Sequence, residues 1–240
     1  MLKILRILYQ PYKFIVFIPA LGILTFTLGI SAVALAFLVG EKTGSLCGVI
    51  WARLLAWITP MQLTVNGKEN IDKHQSYVVV SNHQSQYDIF ALYGWLGVDF
   101  KWVMKMELRK VPILGLACEK LGHIYIDRSN TQAALDSINM AKQKIIGGTS
   151  VLFFPEGSRS RDGKLRNFKK GAFKMAFDLD IPILPVTIKN TRNILPSDTM
   201  DLFPGRASMT IHKPISIKGF NDSSLPELMQ KVKETIQSGL

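Results

Sequence analysis

The longest apolar stretch of the chain lies near its start. Residues 14–40 contain no charged side chain, and these 27 positions, at about 1.5 Å of rise each, would exceed the roughly 30 Å hydrocarbon core of a bilayer as a straight helix. After a short break, a second apolar stretch covers 46–58, which Arg53 interrupts and Pro60 closes. This second stretch is too short to span a membrane comfortably. Residues 1–60 are therefore predicted to form two helices that associate with lipid.

Two topologies are compatible with these helices: a single crossing with an interfacial second helix, or a hairpin that enters one leaflet and returns. Lys3, Arg6 and Lys13 precede the first helix, so the positive-inside rule favours a cytoplasmic N-terminus, and a single crossing would place the rest of this basic chain outside. Three residues would let the first helix bend: Pro19, Gly22 and Gly29. We favour the hairpin, with Trp51 and Trp57 near the interface. The uncharged run is too long for the apolar region of a typical cleaved signal peptide.

Residues 61–240 alternate between short apolar runs and segments with a helical period. Strands are predicted at 63–65, 77–80, 100–104, 123–126, 150–154, 183–188 and 207–211. Helices are predicted from Ser85 through Trp95, then at 108–120 beginning near Pro112, 131–146, 172–177 and 225–236. Strands separated by helices indicate an α/β domain at 61–240, with a mixed sheet flanked by helices.

The chain is strongly basic, with a net charge of +11. Between Lys101 and Lys174 there are 15 Lys and Arg against 6 Asp and Glu, so most of the excess lies in this part of the α/β domain. Such a charge predicts an acidic partner, which by charge alone could be anionic lipid, nucleic acid or an acidic protein. Because the N-terminal helices are predicted to associate with lipid, nucleic acid is a less suitable partner than anionic lipid. Neither the two cysteines, Cys47 and Cys118, nor the scattered histidines have the spacing of a metal site.

The run Tyr77–Val80 ends in a cluster of polar side chains that can carry chemistry. Ser85 is placed to cap the following helix and Asp88 lies three residues further on, a pattern like a capping box. His83 then lies in the turn, from which it can fold back onto Asp88. An imidazole oriented by a carboxylate is suited to proton abstraction, so His83 is the candidate base and Asp88 its orienting partner. The alternative is a plain helix cap beside a surface histidine.

A second polar cluster follows the run 151–154, in the sequence Pro155-Glu156-Gly157-Ser158-Arg159. More cations come after it: Arg161, Lys164, Arg166, Lys169, Lys170 and Lys174. Guanidinium and backbone N–H groups bind phosphate through charge-assisted hydrogen bonds, so this loop is predicted to hold an anion. The alternative is a solvated basic loop. The sequence has no G-x-S-x-G elbow for a serine nucleophile and no P-loop.

Four blocks of the sequence resemble the glycerolipid acyltransferases, and among them the lysophosphatidate acyltransferase type. Residues 82–88, N-H-Q-S-Q-Y-D, resemble the N-H-x-x-x-x-D signature of that family. Residues 122–128, G-H-I-Y-I-D-R, resemble its G-x-I-F-I-D-R block, and residues 154–160, F-P-E-G-S-R-S, its F-P-E-G-T-R-S block. Residues 181–186, I-P-I-L-P-V, resemble its V-P-I-x-P-V block. The blocks occur in family order over nearly half the chain.

The resemblance implies roles for particular residues. It implies that His83 and Asp88 are catalytic and that Glu156, Gly157 and Arg159 line the glycerol-phosphate site, with Arg159 on the phosphate. Ser158, where the family more commonly has Thr, keeps the hydroxyl and is a further candidate for substrate binding. Arg128 is a second candidate for the phosphate or for framing the site, and we add Lys105, a cation at the end of a strand. Because a carboxylate beside a phosphate repels it unless paired with a cation, we expect Glu156 to position Arg159 or a substrate hydroxyl.

The function that the resemblance implies is transfer of a fatty acyl group to the free hydroxyl of 1-acylglycerol 3-phosphate, forming phosphatidate. The donor would be a thioester, acyl-CoA or acyl carrier protein, and neither a cofactor nor a metal is expected. The resemblance also implies a two-helix membrane motif, which we expect at the cytoplasmic face of a membrane. The alternatives are acylation of glycerol 3-phosphate or another lysophospholipid, or a non-catalytic protein that binds anionic lipid.

Overall fold

A computed structural model describes residues 9–127, 142, 145 and 148–240. The chain begins there as one helical segment, Tyr9–Leu38, which includes a π-helical turn at Lys13–Phe17 and the regular helix α1, Ile18–Leu38. By length and composition this segment could cross a membrane, and only 6% of its most apolar window is buried. Gly40, with φ of +131°, reverses the chain into α2, Glu41–Ile58.

The second helix is held between the first helix and the α/β domain by two glycines on one face. A Cβ on Gly44 would lie 2.8 Å from the carbonyl oxygen of Ala32 in α1. A Cβ on Gly48, one turn further on, would lie 2.4 Å from the ring of Tyr93 in the α/β domain. The absence of side chains at these positions lets α2 approach both neighbours. Both predicted N-terminal helices are therefore present and packed.

One sheet forms the centre of the α/β domain, and seven strands of it lie within the described residues. The strands are β1 Met61–Asn66, β2 Val78–Ser81, β3 Phe100–Lys105, β4 Ile124–Ile126, β5 Ser150–Phe153, β6 Ile183–Lys189 and β7 Gly205–Ile211. Their order is β1-β7-β6-β2-β5-β3-β4. Every neighbouring pair is parallel except β6 and β7. The predicted mixed sheet is confirmed.

Helices cover both faces of the sheet. They are α3 Tyr87–Trp95, α4 Leu114–Lys120, α5 Gly171–Leu179 and α6 Leu225–Ser238, with 3-10 turns at Lys68–Asn70, Met106–Lys110 and Thr191–Asn193. Because successive side chains of a strand point to opposite faces, Val78 and Val80 pack with α5 and α6, whereas Val79 packs with α3. β2, which precedes His83, and its parallel neighbour β5 are buried on both faces, as parallel strands usually are.

One predicted helix begins slightly later than expected, and another lies outside the described residues. The helix predicted to begin near Pro112 is α4, which begins at Leu114, and the residues before it form the turn Met106–Lys110. β1 pairs with β7, although β2 is the next strand in the chain. The predicted helix 131–146 lies almost wholly outside the described residues.

Candidate active site

The candidate residues come together because parallel strands end at the same edge of a sheet. His83 follows β2, the loop with Glu156 and Arg159 follows β5, and Lys105 ends β3. β5 pairs in parallel with both β2 and β3. Loops beyond the carboxyl ends of parallel strands are the usual position of ligand sites in α/β proteins. The sheet thus joins groups that are up to 76 residues apart in the chain.

Asp88 is fully buried and accepts hydrogen bonds at both carboxylate oxygens. Oδ2 lies 2.8 Å from Nδ1 of His83 and accepts the main-chain N–H groups of Gln84 and Ser85 at 2.6 and 2.9 Å. Oδ1 accepts the hydroxyl of Thr191. Because a carboxylate only accepts, Nδ1 of His83 carries the proton. The basic nitrogen of the ring is therefore Nε2.

The His83 ring and main chain are both fixed. The ring stacks on Phe154, with centroids 3.8 Å apart and planes 10° apart, and its side chain is 15% exposed. The main-chain N–H of His83 donates to Glu156 at 2.9 Å, and its carbonyl oxygen accepts from the N–H of Ser160 at 2.7 Å. The turn after β2 and the loop after β5 are thus tied together. The imidazole is held in one orientation before any ligand arrives.

Ser85 and Asp88 contact each other's part of the turn as predicted, but the N-cap position of α3 is Gln86 and not Ser85. Ser85 Oγ accepts the N–H of Tyr87 at 3.2 Å, and Asp88 accepts the N–H of Ser85 in return. Ser85 Oγ also donates to the carbonyl oxygen of Leu195 at 2.7 Å. The Asp88 carboxylate therefore binds N–H groups at the start of α3 and also orients His83. The two roles considered for Asp88, helix cap and orienting partner, do not exclude each other.

Glu156 has a different partner from the one expected. Its Oε1 accepts the N–H of His83 and its Oε2 the N–H of Arg166, both at 2.9 Å. Burial raises the pKa of this carboxyl, and the two N–H donors oppose that shift. The expectation that Glu156 positions Arg159 was wrong. A carboxylate after a strand end can satisfy loop N–H groups, and here that contact braces the histidine.

Arg159 instead lies near Asp198, a residue that the sequence did not single out. Its Nη2 is 3.6 Å from Oδ1 of Asp198, whose Oδ2 accepts from Nε of Arg161 at 2.7 Å. The Arg159 side chain is 29% exposed. Asp198 lies 39 positions after Arg159, beyond two elements of structure, so no local pattern could have pointed to it.

Gly157 and Ser158 form the bend that brings Arg159 to the site. Gly157 has φ of +74°, and a Cβ there would lie 2.9 Å from Cε of Lys169. Both facts favour glycine at this position. Ser158 Oγ accepts from Nη1 of Arg166 at 2.9 Å, so its hydroxyl orients a second guanidinium.

His83 and the loop after β5 line a cavity of about 740 Å³ whose wall combines two chemically distinct sets of side chains. The set that we call the cationic region consists of His83 and charged side chains: Lys105, Arg159, Arg161, Arg166 and Asp198. The set that we call the apolar region is mainly aliphatic and aromatic: Trp51, Ile89, Tyr93, Trp102, Leu108, Leu114 and Phe154. Four cations against one carboxylate suit an anion, and the apolar wall suits a hydrocarbon chain. The cavity therefore matches an amphiphile with an anionic head.

His123 also lines this cavity but in a neutral form. Its burial, and then the charge of Lys101, lower its pKa to about 3. Nδ1 accepts the N–H of Trp102 at 3.3 Å, and Nε2 lies 3.4 Å from the hydroxyl of Tyr93. Over the described residues, no group of three or more His, Cys, Asp or Glu side chains is arranged to hold a metal ion.

Two further candidates have different outcomes. Lys105 lies at the cavity wall with its side chain 56% exposed, 3.9 Å from Glu107. Arg128 lies outside the described residues. Sequence reasoning missed Thr191 and the stacking of Phe154. Thr191 is 103 positions from Asp88 and gave no signal, whereas Phe154 stands in the F-P-E-G block and could have been named.

Comparison with known proteins decides the family. The family model described as Acyltransferase matches residues 62–189, more than half of the chain, and this span contains both polar clusters. The chain belongs to the Acyltransferase family. The resemblance found in the four sequence blocks is therefore confirmed at the level of the family.

Individual members of the Acyltransferase family are similar over different lengths. A chloroplastic 1-acyl-sn-glycerol-3-phosphate acyltransferase of Arabidopsis thaliana is 36% identical over 156 residues, which are 64% of this chain and 44% of that protein. The 1-acyl-sn-glycerol-3-phosphate acyltransferase of Saccharomyces cerevisiae is 32% identical over 211 residues, which are 81% of this chain and 69% of that protein. The match spans just under half the length of the chloroplastic relatives from Arabidopsis thaliana and Brassica napus.

A solved acyltransferase structure resembles the whole chain. The crystal structure of PlsC, the 1-acyl-sn-glycerophosphate acyltransferase of Thermotoga maritima, matches with a TM-score of 0.79 at 28% identity. The match covers 100% of this chain and 96% of that one. The N-terminal helices as well as the α/β domain thus have counterparts in an acyltransferase of similar length.

Proposed function

We propose that this protein transfers a fatty acyl group from acyl-CoA or acyl carrier protein to the free hydroxyl of 1-acylglycerol 3-phosphate and so forms phosphatidate. The observation that carries the proposal is His83, oriented by buried Asp88 in a cavity with a cationic region and an apolar wall. The activities named for the yeast and Thermotoga maritima relatives, which match over most of their lengths, support the same acceptor.

In the proposed mechanism, Nε2 of His83 takes the proton of the acceptor hydroxyl. The hydroxyl oxygen attacks the thioester carbonyl carbon, the C–S bond breaks, and the departing thiolate receives the proton from the imidazolium. Asp88 keeps Nδ1 protonated and stabilises the imidazolium through its contact of 2.8 Å. A positioned base of this kind contributes about 10²–10⁴-fold. No covalent acyl-enzyme is formed.

The phosphate of the acceptor is proposed to bind the cationic region of the cavity. Arg159 is the main ligand, because a guanidinium offers two parallel donors to phosphate oxygens. Gly157 and Ser158 shape the loop, Glu156 braces it, and Lys105 adds a cation from the end of β3. A role for Arg128 in binding the phosphate is proposed from the sequence alone. Holding the phosphate turns a two-body encounter into a positioned reaction.

The acyl donor carries its own activation, since a thioester is an energy-rich acyl carrier. The proposed reaction therefore uses neither a cofactor nor a metal. Exposed cations continue from the cavity along the chain: Lys164, Arg166, Lys169, Lys170 and Lys174. They complement the phosphates of coenzyme A as well as an acidic carrier protein.

We propose that residues 1–60 form a membrane-associating hairpin and residues 61–240 the acyltransferase domain. Both ends of the first helix contact that domain, which supports a hairpin along one side of the protein. Near its start, Lys13 Nζ donates to the carbonyl oxygen of Met200 at 2.8 Å. Just beyond its end, Glu41 pairs with buried Lys101 at 2.7 Å. A crossing that separated these ends by the thickness of a bilayer would break one of the two contacts.

The proposed location is the cytoplasmic face of a membrane. Lys3, Arg6 and Lys13 precede the apolar helix, and the basic excess between Lys101 and Lys174 follows the hairpin. Both sides of the hairpin therefore prefer the same anionic, cytoplasmic surface.

The test is acyl transfer by the purified protein in detergent, with labelled acyl-CoA as donor. Lysophosphatidate and glycerol 3-phosphate are compared as acceptors at equal concentration. We expect phosphatidate as product and a higher kcat/KM for lysophosphatidate, because only that acceptor also fills the apolar region. Preference for glycerol 3-phosphate would reassign the acceptor. Binding of anionic lipid with no transfer to either acceptor would replace the enzyme by a lipid-binding protein.

A further inference from the structure

Exposed apolar side chains in the α/β domain are concentrated in one short segment. Among the described residues after Pro60, four large hydrophobic side chains are exposed, and three of them are Leu108 at 39%, Val111 at 41% and Leu116 at 48%. All three lie in residues 106–116, which we call the lip segment. Apart from Met200, the other exposed large hydrophobic side chains lie between residues 14 and 57, in the two N-terminal helices and the turn between them.

The local backbone keeps the lip segment in this exposed position. Ile113 has φ of +61°, a region that a β-branched residue rarely adopts. A Cβ on Gly115 would lie 2.2 Å from the carbonyl oxygen of Arg109, so only glycine lets the chain close this turn. The segment thus folds back on itself and turns its aliphatic side chains outward.

The lip segment continues the apolar surface of α1. Cγ2 of Ile113 lies 2.5 Å from the position that a Cβ on Gly29 would occupy, so the segment presses against this helix. α1 itself exposes large apolar side chains, including Ile23, Phe26 and Ile30. An apolar surface that extends over separate elements marks an interaction site and not a chance exposure.

Charge and position identify the occupant as an anionic bilayer. Lys110 is exposed beside the aliphatic side chains, as is Arg109, which is paired with Glu119 at 2.7 Å. A cation next to aliphatic side chains is typical of protein segments at the headgroup boundary. Leu108 and Leu114, both in the lip segment, also line the cavity that contains His83. The lip segment is therefore both the edge of the cavity and the neighbour of the membrane helix.

We propose that the lip segment inserts Leu108, Val111 and Leu116 into the bilayer and forms a third membrane contact, at the cavity mouth. Lys110 binds an anionic headgroup while the aliphatic side chains enter the acyl region. This inference rests on the proposed function for its consequence: the amphiphilic acceptor passes from the leaflet into the cavity without crossing water. The membrane contact itself does not depend on catalysis.

The first test reads the environment of the lip segment by fluorescence. Single cysteines replace Val111 or Leu116 in a Cys47→Ala, Cys118→Ser background, carry an environment-sensitive dye, and are reconstituted in vesicles of phosphatidylcholine and phosphatidylglycerol. Lys231→Cys is the matched control, because α6 covers the opposite face of the sheet from α3. We expect blue-shifted emission and quenching by lipids with brominated chains at 111 and 116 but not at 231.

Two results would overturn the proposal. Emission at 111 and 116 equal to that at 231 would place the segment in water. Blue-shifted emission without quenching by brominated lipid would place it against protein, such as a second copy of the chain. Neither reading requires acyl transfer, so the outcome stands even if the proposed function fails.

The second test measures the consequence for turnover. The double variant Val111→Gln, Leu116→Gln changes side chains that do not line the cavity of His83. We expect its kcat/KM to fall by roughly tenfold for lysophosphatidate in vesicles, a loss of the order expected from removing two aliphatic lipid contacts. A short-chain, water-soluble lysophosphatidate should be acylated at the wild-type rate. An equal loss for both acceptors would mean that the segment supports the fold and does not admit lipid.

Discussion

At the scale of single residues, Asp88 has four hydrogen-bonding partners to lose: His83, Gln84, Ser85 and Thr191. An asparagine can keep them in part: its oxygen can replace Oδ2, and its amide can donate to the Thr191 hydroxyl that now donates to Oδ1. Asp88→Asn should therefore fold, yet the imidazolium of His83 would lose its countercharge. We expect kcat to fall by about 10²–10⁴-fold.

Initial rates and thermal unfolding in detergent measure the two effects of Asp88→Asn separately. Asp201→Asn is the matched control, since Asp201 is exposed and does not line the cavity. Turnover of Asp88→Asn within a few-fold of Asp201→Asn would show that the carboxylate serves only the helix cap.

His123 predicts how stability depends on pH. Its pKa of about 3 in the folded chain lies below the ordinary value of 6.5, because burial disfavours the charged ring. The unfolded chain therefore takes up a proton first as the pH falls below 6.5. The free energy of unfolding should decrease by about 1.4 kcal/mol per pH unit from this group between 6.5 and 3.

Replacement by glutamine should remove that dependence, since its amide can still accept from Trp102 and donate to Tyr93. Urea unfolding of His123→Gln across this pH range measures the slope, with the exposed His74→Gln as control. A slope of His123→Gln as steep as that of the control would mean that His123 is not neutral in the folded chain.

Some contacts of the site could be predicted from the sequence and others could not. His83 and Asp88 were predictable because they lie five positions apart across one strand-to-helix turn, where local geometry decides the contact. Glu156 was found but given the wrong partner, because its N–H donors come from backbone whose direction no motif encodes. Thr191 and Asp198 reach the site only through the sheet, so their contribution could not be predicted.

At the scale of elements, Gly48 sets how closely α2 approaches α3. Alanine favours a helix over glycine by about 1 kcal/mol, but its Cβ would lie 2.4 Å from the Tyr93 ring. Overpacking of this kind typically costs about 1–3 kcal/mol. Gly48→Ala should therefore lower the thermal midpoint and loosen α3, which carries Asp88.

Gly22→Ala is the matched control, because a Cβ at Gly22 meets nothing within 4 Å. That variant should unfold at or above the wild-type temperature in detergent. Equal stability of the two alanine variants would contradict tight docking of α2.

The order of elements was predictable, but their pairing was not. The apolar runs 77–80 and 150–154 predicted β2 and β5 with each strand end correct to within one residue. No local pattern indicates that β1 pairs with β7, since Met61 and Gly205 are 144 positions apart. The start of α4 near Pro112 was predicted from the proline, but no sequence pattern indicates the left-handed backbone of Ile113.

At the scale of the whole molecule, both ends of the proposed hairpin lie on one side of the membrane. Cysteines at Lys3, Lys42 and Lys68, introduced after replacement of Cys47 and Cys118, can be labelled from either side with an impermeant thiol reagent. All three should react from the cytoplasmic side, because Glu41, beside Lys42, already contacts Lys101 of the catalytic domain. Labelling of positions 3 and 68 from opposite sides would establish a crossing.

The central claim is that His83 is the base for acyl transfer, and the most direct test is the turnover of His83→Ala. The variant removes a ring that is 15% exposed at a cavity wall, so the fold and membrane association should persist. Transfer from labelled acyl-CoA to lysophosphatidate is measured beside wild type and the exposed His74→Ala. We predict a loss of at least about 10²-fold for His83→Ala and wild-type rates for His74→Ala. Near-normal turnover by folded His83→Ala would contradict the mechanism.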